Sequence, residues 1–119
     1  MMTKKDYMKL VGQLYTKIEN KKKTFRRKEK SASAMHEINK LAGLYIDLTH
    51  EVEQQLNKLS YVEQYVLRRH FLNKKTLYEV ANELNYSTRS INRFKKKGLE
   101  NLEILESDTL KQVLKILET

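Results

Sequence analysis

The sequence predicts an all-α protein, and three observations lead there. The 119 residues contain no proline and only three glycines, and they are rich in Lys, Glu, Leu and Asn. Apolar residues recur at three- and four-residue spacing through most of the chain, the period of a helix with one buried side. Serine or threonine is followed three residues later by an acid at Thr3/Asp6, Ser60/Glu63 and Thr76/Glu79, the pattern of a capping box at a helix start. The expected order is an N-terminal helical hairpin over residues 1–58, a two-helix motif with its supporting helix over 59–103, and a short amphipathic helix over 104–119.

The first helix should begin after Thr3. Tyr7, Leu10, Val11, Leu14 and Ile18 form its apolar stripe, and it should end near Asn20. Residues 21–30 follow, and seven of the ten are cationic. This stretch reads as a solvated connector, as a helix extension charged all round, or as a basic arm on DNA phosphates. Such an arm adds affinity without sequence preference. Ser31 or Ser33 can cap a long second helix with Ile38, Leu41, Ala42, Tyr45, Leu48, Val52, Leu56 and Leu59 along one side. That stripe is core, or else an interface with a second copy of the chain, since it exceeds what a short first helix covers. Ile46 lies off it and hints at a broader buried face.

Ser60 opens a helix carrying Val62, Tyr65, Val66, Leu67 and Phe71, which should cover the motif that follows. Arg68 and Arg69 on it are within plausible reach of phosphates. After the connector Asn73-Lys74-Lys75, Thr76 and Glu79 cap a short helix with Val80, Ala81 and Leu84 inside. Asn85 occupies a tight turn that asks for left-handed backbone, which asparagine tolerates well. Ser87 is a good N-cap for the next helix. On a wheel of about 100° per residue, Ile91, Phe94, Gly98 and Leu102 share one side, with Leu99 beside them. Arg89, Arg93 and Lys96 point the other way, flanked by Asn92 and Lys97. Two helices joined by a short turn, the second polar and cationic outward, form a helix-turn-helix pattern. Arginine and asparagine make bidentate contacts to guanine and adenine edges. Thr88, Arg89, Asn92 and Arg93 are therefore the candidate base-reading residues. Lys74, Lys75, Ser87, Lys95, Lys96 and Lys97 are the candidate phosphate contacts.

Residues Leu56 to Leu102 resemble region 4 of the sigma-70 family. They resemble more closely the small phage and mobile-element transcription regulators of the RinA and ArpU type. The likeness rests on Leu56, Leu59, Val66, Leu67 and Phe71, on Thr76, Glu79, Val80, Ala81 and Leu84, on Tyr86 to Arg93, and on Gly98 to Leu102. A glycine is usual near Asn73 to Lys75, and an alanine at Gly98. Nothing resembles the sigma region that melts promoters, so a complete sigma factor is not expected. The resemblance implies a promoter-bound transcription regulator that touches RNA polymerase.

After Leu102 the charge changes sign. The balance is +6 over residues 1–59, +5 over 60–102 and −2 over 103–119, for a net +9. Such a surplus fits an anionic partner. Ser107 or Asp108 can cap a last helix with Leu110, Val113, Leu114 and Leu117 on one side and Ile116 off it. That helix would fold back, pair with another subunit or dock on a partner.

Other chemistries find no footing in the sequence. There is no cysteine, so no disulfide framework or thiolate site. His36, His50 and His70 lack metal-ligand spacing. No phosphate-binding glycine loop and no nucleophile motif occurs. The expectation is a cytoplasmic protein without enzymatic activity, metal or cofactor, with no apolar run of membrane-spanning length. Its expected partners are double-stranded DNA, RNA polymerase and a second copy of itself. The competing classes are a small terminase subunit of a phage packaging machine, marked by ring assembly, and an adaptor whose basic helix binds an acidic protein.

Overall fold

The computed structural model describes residues 2–28 and 30–118. Helices account for these residues almost throughout, with no strand among them: α1 Lys4–Arg27, α2 Ala32–Leu56, α3 Tyr61–Leu67, α4 Leu77–Leu84, α5 Thr88–Asn101 and α6 Asp108–Leu117. A π-helical turn, Arg68–Leu72, prolongs α3. The all-α fold, with a helical pair preceding the further helices, is as expected.

Most helix starts follow their side-chain signals. Thr3 Oγ1 accepts from Asp6 N at 3.0 Å and Ser31 Oγ from Ala34 N at 3.1 Å. Thr76 and Glu79 close a reciprocal capping box, with both bonds at 3.1 Å. Ser60 Oγ accepts from Glu63 N at 3.4 Å, while the Glu63 carboxylate turns instead to Asn101 Nδ2, also at 3.4 Å. Ser107 caps α6 by accepting from Leu110 N and donates its hydroxyl proton to Glu51.

Two helix bounds depart from expectation. α1 runs to Arg27 rather than stopping near Asn20, so most of the basic stretch is a helix extension. Lysine and arginine are good helix formers, and cations suit the C-terminal end of the helix dipole. Thr24 Oγ1 bonds Asn20 O at 3.2 Å, Lys21 pairs with Glu37 at 2.8 Å, and half-buried Phe25 lies beside Ala34 and Ile38. Glu29 falls outside the described residues. α2 ends at Leu56, so Leu59 sits in the following turn, where it is nevertheless buried.

The chain forms two compact units that do not follow its order: residues 1–9 with 52–105, and residues 10–51 with 106–119. The second unit joins most of the α1–α2 hairpin to α6. Leu10, Val11, Leu14, Ile18, Ile38, Leu41, Leu44, Leu48, Leu110 and Val113 are its buried apolar residues. The Lys17 ammonium donates to Ile116 O at 3.1 Å, in the last turn of α6. Of the destinations open to α6, the chain uses the fold back onto its own hairpin. Within this unit Ile38, Leu41 and Leu48 of the α2 stripe are buried in a single chain, and Ile46 is 65% exposed rather than part of a broader buried face.

The first unit contains α3, the π-turn, α4 and α5 around Val66, Val80, Ala81 and Ile91, with Val62, Tyr65, Leu77, Leu84 and Phe94 packed against them. Ala81 is almost fully buried, as a close crossing of α4 and α5 requires. Gly98 meets α3: a Cβ there would lie 3.1 Å from Leu67 Cδ1 and 3.3 Å from Glu63 Cβ.

Candidate nucleic-acid interface

The geometry of the site starts in the backbone between α4 and α5. Asn85 has φ 58° and ψ 38°, the left-handed conformation that reverses the chain after α4. Tyr86 N then bonds Ala81 O at 3.0 Å, closing the helix end. Ser87 is extended, and its Oγ accepts from Ser90 N at 3.1 Å. The same hydroxyl lies 3.0 Å from Ser90 Oγ and donates to it. Ser87 is exposed, but its hydroxyl is engaged in the cap, so a phosphate there would have to compete with Ser90.

From that fixed start, α5 turns its two sides as the wheel requires. Ile91, Gly98 and Leu102 are buried, with Phe94 and Leu99 partly so. Thr88, Arg89, Asn92, Arg93, Lys96 and Lys97 are all exposed. Within that row, Arg89, Arg93, Lys96 and Lys97 make no salt bridge among the described residues. Their charge faces outward without an internal counter-ion. The Arg93 guanidinium carbon lies 6.0 Å from the Phe94 ring centroid, and that ring is itself tilted against Tyr86 at 5.6 Å. A cation over a ring face gains a modest attraction, which favours one placement of the arginine. Tyr86, which precedes α5 and lies outside its wheel, thus joins the inward-facing Phe94 in supporting the candidate site.

The remaining lysines differ among themselves. Lys95 sits on the flank of α5, half-buried, with Nζ 5.6 Å from the Phe71 centroid. Burial, followed by repulsion from Lys5 and Lys9, holds its ammonium below the usual lysine range. Lys74 has φ 57°, a left-handed backbone conformation in the connector between the π-turn and α4. Its neighbour Lys75 lies 3.8 Å from Glu79 across the α4 capping box. Lys75 O meets His70 Nδ1 at 2.8 Å and Lys75 N donates to Arg69 O at 3.0 Å, so the connector is tied to the π-turn.

Arg68 and Arg69 are committed inside the unit rather than free for phosphates. Arg68 Nε and Nη2 both reach the Glu53 carboxylate at 3.0 Å. Arg69 makes two bonds to Glu83, and Tyr65 donates its hydroxyl to the same carboxylate at 3.0 Å. Among the described residues no group of His, Asp and Glu is arranged to hold a metal ion, and no helix is long and apolar enough to cross a membrane.

Comparison with protein-family models, with curated proteins and with solved structures yields no match.

Proposed function

We propose that the chain is a sequence-specific DNA-binding transcription regulator of phage or mobile-element type, and that α5 is its recognition helix. The observation that carries this reading is the outward row of Arg89, Asn92 and Arg93, exposed on the N-terminal half of a helix whose start is fixed by Asn85 and Ser87. The N-terminal half of a recognition helix is the part that enters the major groove. There, Thr88, Arg89, Asn92 and Arg93 read base edges, while Lys74, Lys75, Ser87, Lys95, Lys96 and Lys97 position the protein on phosphates. The net charge of +9 supports an anionic partner, since clustered cations release counterions from a duplex.

The proposal places the protein in the cytoplasm at a promoter, with RNA polymerase as its second partner and no catalytic step of its own. A homodimer belongs to the proposal as well. Because the α2 stripe is covered within the chain, the dimer would form through another surface, such as that around Ile46. Paired half-sites would then lie about 34–36 Å apart or at a multiple of that spacing.

The test is selection of bound duplexes from a random pool. Enrichment of one short motif supports the reading. Retention of DNA without enrichment reduces it to non-specific binding, and absence of retention at low salt favours an adaptor for an acidic protein. Light scattering on the purified protein separates a dimer from the ring that a terminase subunit would form.

A further inference from the structure

The first turns of α1 belong to the same compact unit as the helix-turn-helix, although 96 positions in sequence separate Lys4 from Glu100. One bond joins the two segments directly: the Lys4 ammonium donates to Glu100 O in the last turn of α5. Lysine at a helix C-terminus satisfies a carbonyl that has no partner inside the helix. The contact sets the start of α1, with its next cations Lys5 and Lys9, beside the last turn of α5. Lys5 and Lys9 are one turn apart on the same side of α1, and both are exposed. Tyr7 and Met8 between them are fully buried, so this end of α1 is anchored rather than fraying.

Lys95 is the α5 residue on that flank. On the α5 wheel it falls beyond Asn92, on the opposite side of the outward face from Lys97. Its ammonium lies 5.6 Å from the Phe71 ring centroid, and burial, followed by repulsion from Lys5 and Lys9, acts against its charged form. Three like charges gathered on one flank cost stability unless something neutralises them. A helix seated in the major groove has a phosphate backbone along each side, so its two flanks are where neutralising anions would stand.

We infer that Lys5 and Lys9 form, with Lys95, a phosphate-binding ridge that holds the DNA strand on the Asn92 side of the recognition helix, opposite Lys97. The inference rests on the proposal that α5 binds DNA. It adds two positioning residues from the far end of the chain and makes the backbone contact two-sided. The ridge contributes affinity and orientation, not base preference.

The experiment measures affinity for a fluorescent random-sequence duplex and for the selected duplex across a salt series. The proteins compared are the parent, Lys5→Gln/Lys9→Gln, Lys97→Gln, and the control Lys111→Gln/Lys115→Gln, which removes the same charge from exposed positions of α6. Thermal melting verifies that each is folded. Each lost phosphate contact lowers the slope of log K against log salt by about 0.9. The ridge predicts a slope lower by about two units for Lys5→Gln/Lys9→Gln, with the ratio of specific to random binding unchanged and the control slope at the parental value. A parental slope for Lys5→Gln/Lys9→Gln, alongside a lowered one for Lys97→Gln, overturns the ridge and leaves the DNA reading intact. Equal reductions in Lys5→Gln/Lys9→Gln and the α6 control also overturn it, because net charge alone then accounts for the effect. A parent that binds neither duplex removes the DNA reading and the ridge together.

Discussion

Arg69 grips Glu83 through two parallel bonds, Nε to Oε1 at 3.0 Å and Nη2 to Oε2 at 2.6 Å. This pair ties the π-turn after α3 to α4, the first helix of the motif, and Tyr65 of α3 completes it from one turn earlier. The guanidinium, and to a smaller extent the Tyr65 hydroxyl, hold the Glu83 carboxyl below its usual range, although burial acts in the opposite direction. The folded state therefore favours the ionised form. That stabilisation is present above the unfolded carboxyl pKa of about 4.3 and is lost as pH falls through the lower folded value. Glu83→Gln should make the protein less stable at neutral pH and flatten its stability loss below about pH 4. Urea melts of parent and variant from neutral to acid pH measure this. Parallel curves at all pH values would show that the pair does not contribute.

Ala81 lies in the crossing of α4 and α5, beside Val66, Val80 and Ile91. A larger side chain there must push the two helices apart. Ala81→Leu should cost about 1–3 kcal/mol of stability. Because the spacing of α5 from its support also changes, DNA affinity should fall with it. Chemical denaturation and duplex binding test the two effects separately.

Gly98 is the second close approach. Alanine gains about 1 kcal/mol over glycine in a helix interior. Here its Cβ would press on Leu67 Cδ1 at 3.1 Å. The two effects oppose each other, so Gly98→Ala should shift stability by less than about 1 kcal/mol. Gly98→Val adds branched bulk to the same contact and loses the propensity gain, so it should be clearly destabilising. If Gly98→Val melts like the parent, α5 does not pack this closely on α3.

The motif itself was legible in sequence because its signals are local. Capping at Thr76 and Ser87, left-handed backbone at Asn85 and the apolar side of α5 depend only on residues within a turn or two. What lay outside such windows was not legible. The cationic run 21–27 has no apolar stripe of its own beyond Phe25, yet it stays helical because no glycine or proline interrupts it and Glu37 of α2 pairs with Lys21. The π-turn at Arg68–Leu72 has no local signature; it is held by Asn73 N on Arg68 O and by the Glu53 partner of Arg68. Arg68 and Arg69 read as phosphate contacts because their carboxylate partners lie about fifteen residues away in the sequence. The docking of α6 on the hairpin, and of Lys4 on α5, depends on contacts across nearly a hundred residues.

The central claim is that α5 reads bases through the arginines of its N-terminal half. Its most direct test is the ratio of binding to the selected duplex over random duplex, across a salt series, for Arg89→Ala, Arg93→Ala and Lys97→Ala. An arginine bidentate to guanine contributes about 1–3 kcal/mol of discrimination, so the ratio should drop about five- to one-hundred-and-fifty-fold where that contact is lost. Lys97→Ala should weaken both duplexes alike, keep the ratio and lower the salt slope by about one unit. If Arg89→Ala and Arg93→Ala both retain the full parental ratio, α5 does not read sequence and the account of this protein as a specific regulator is contradicted.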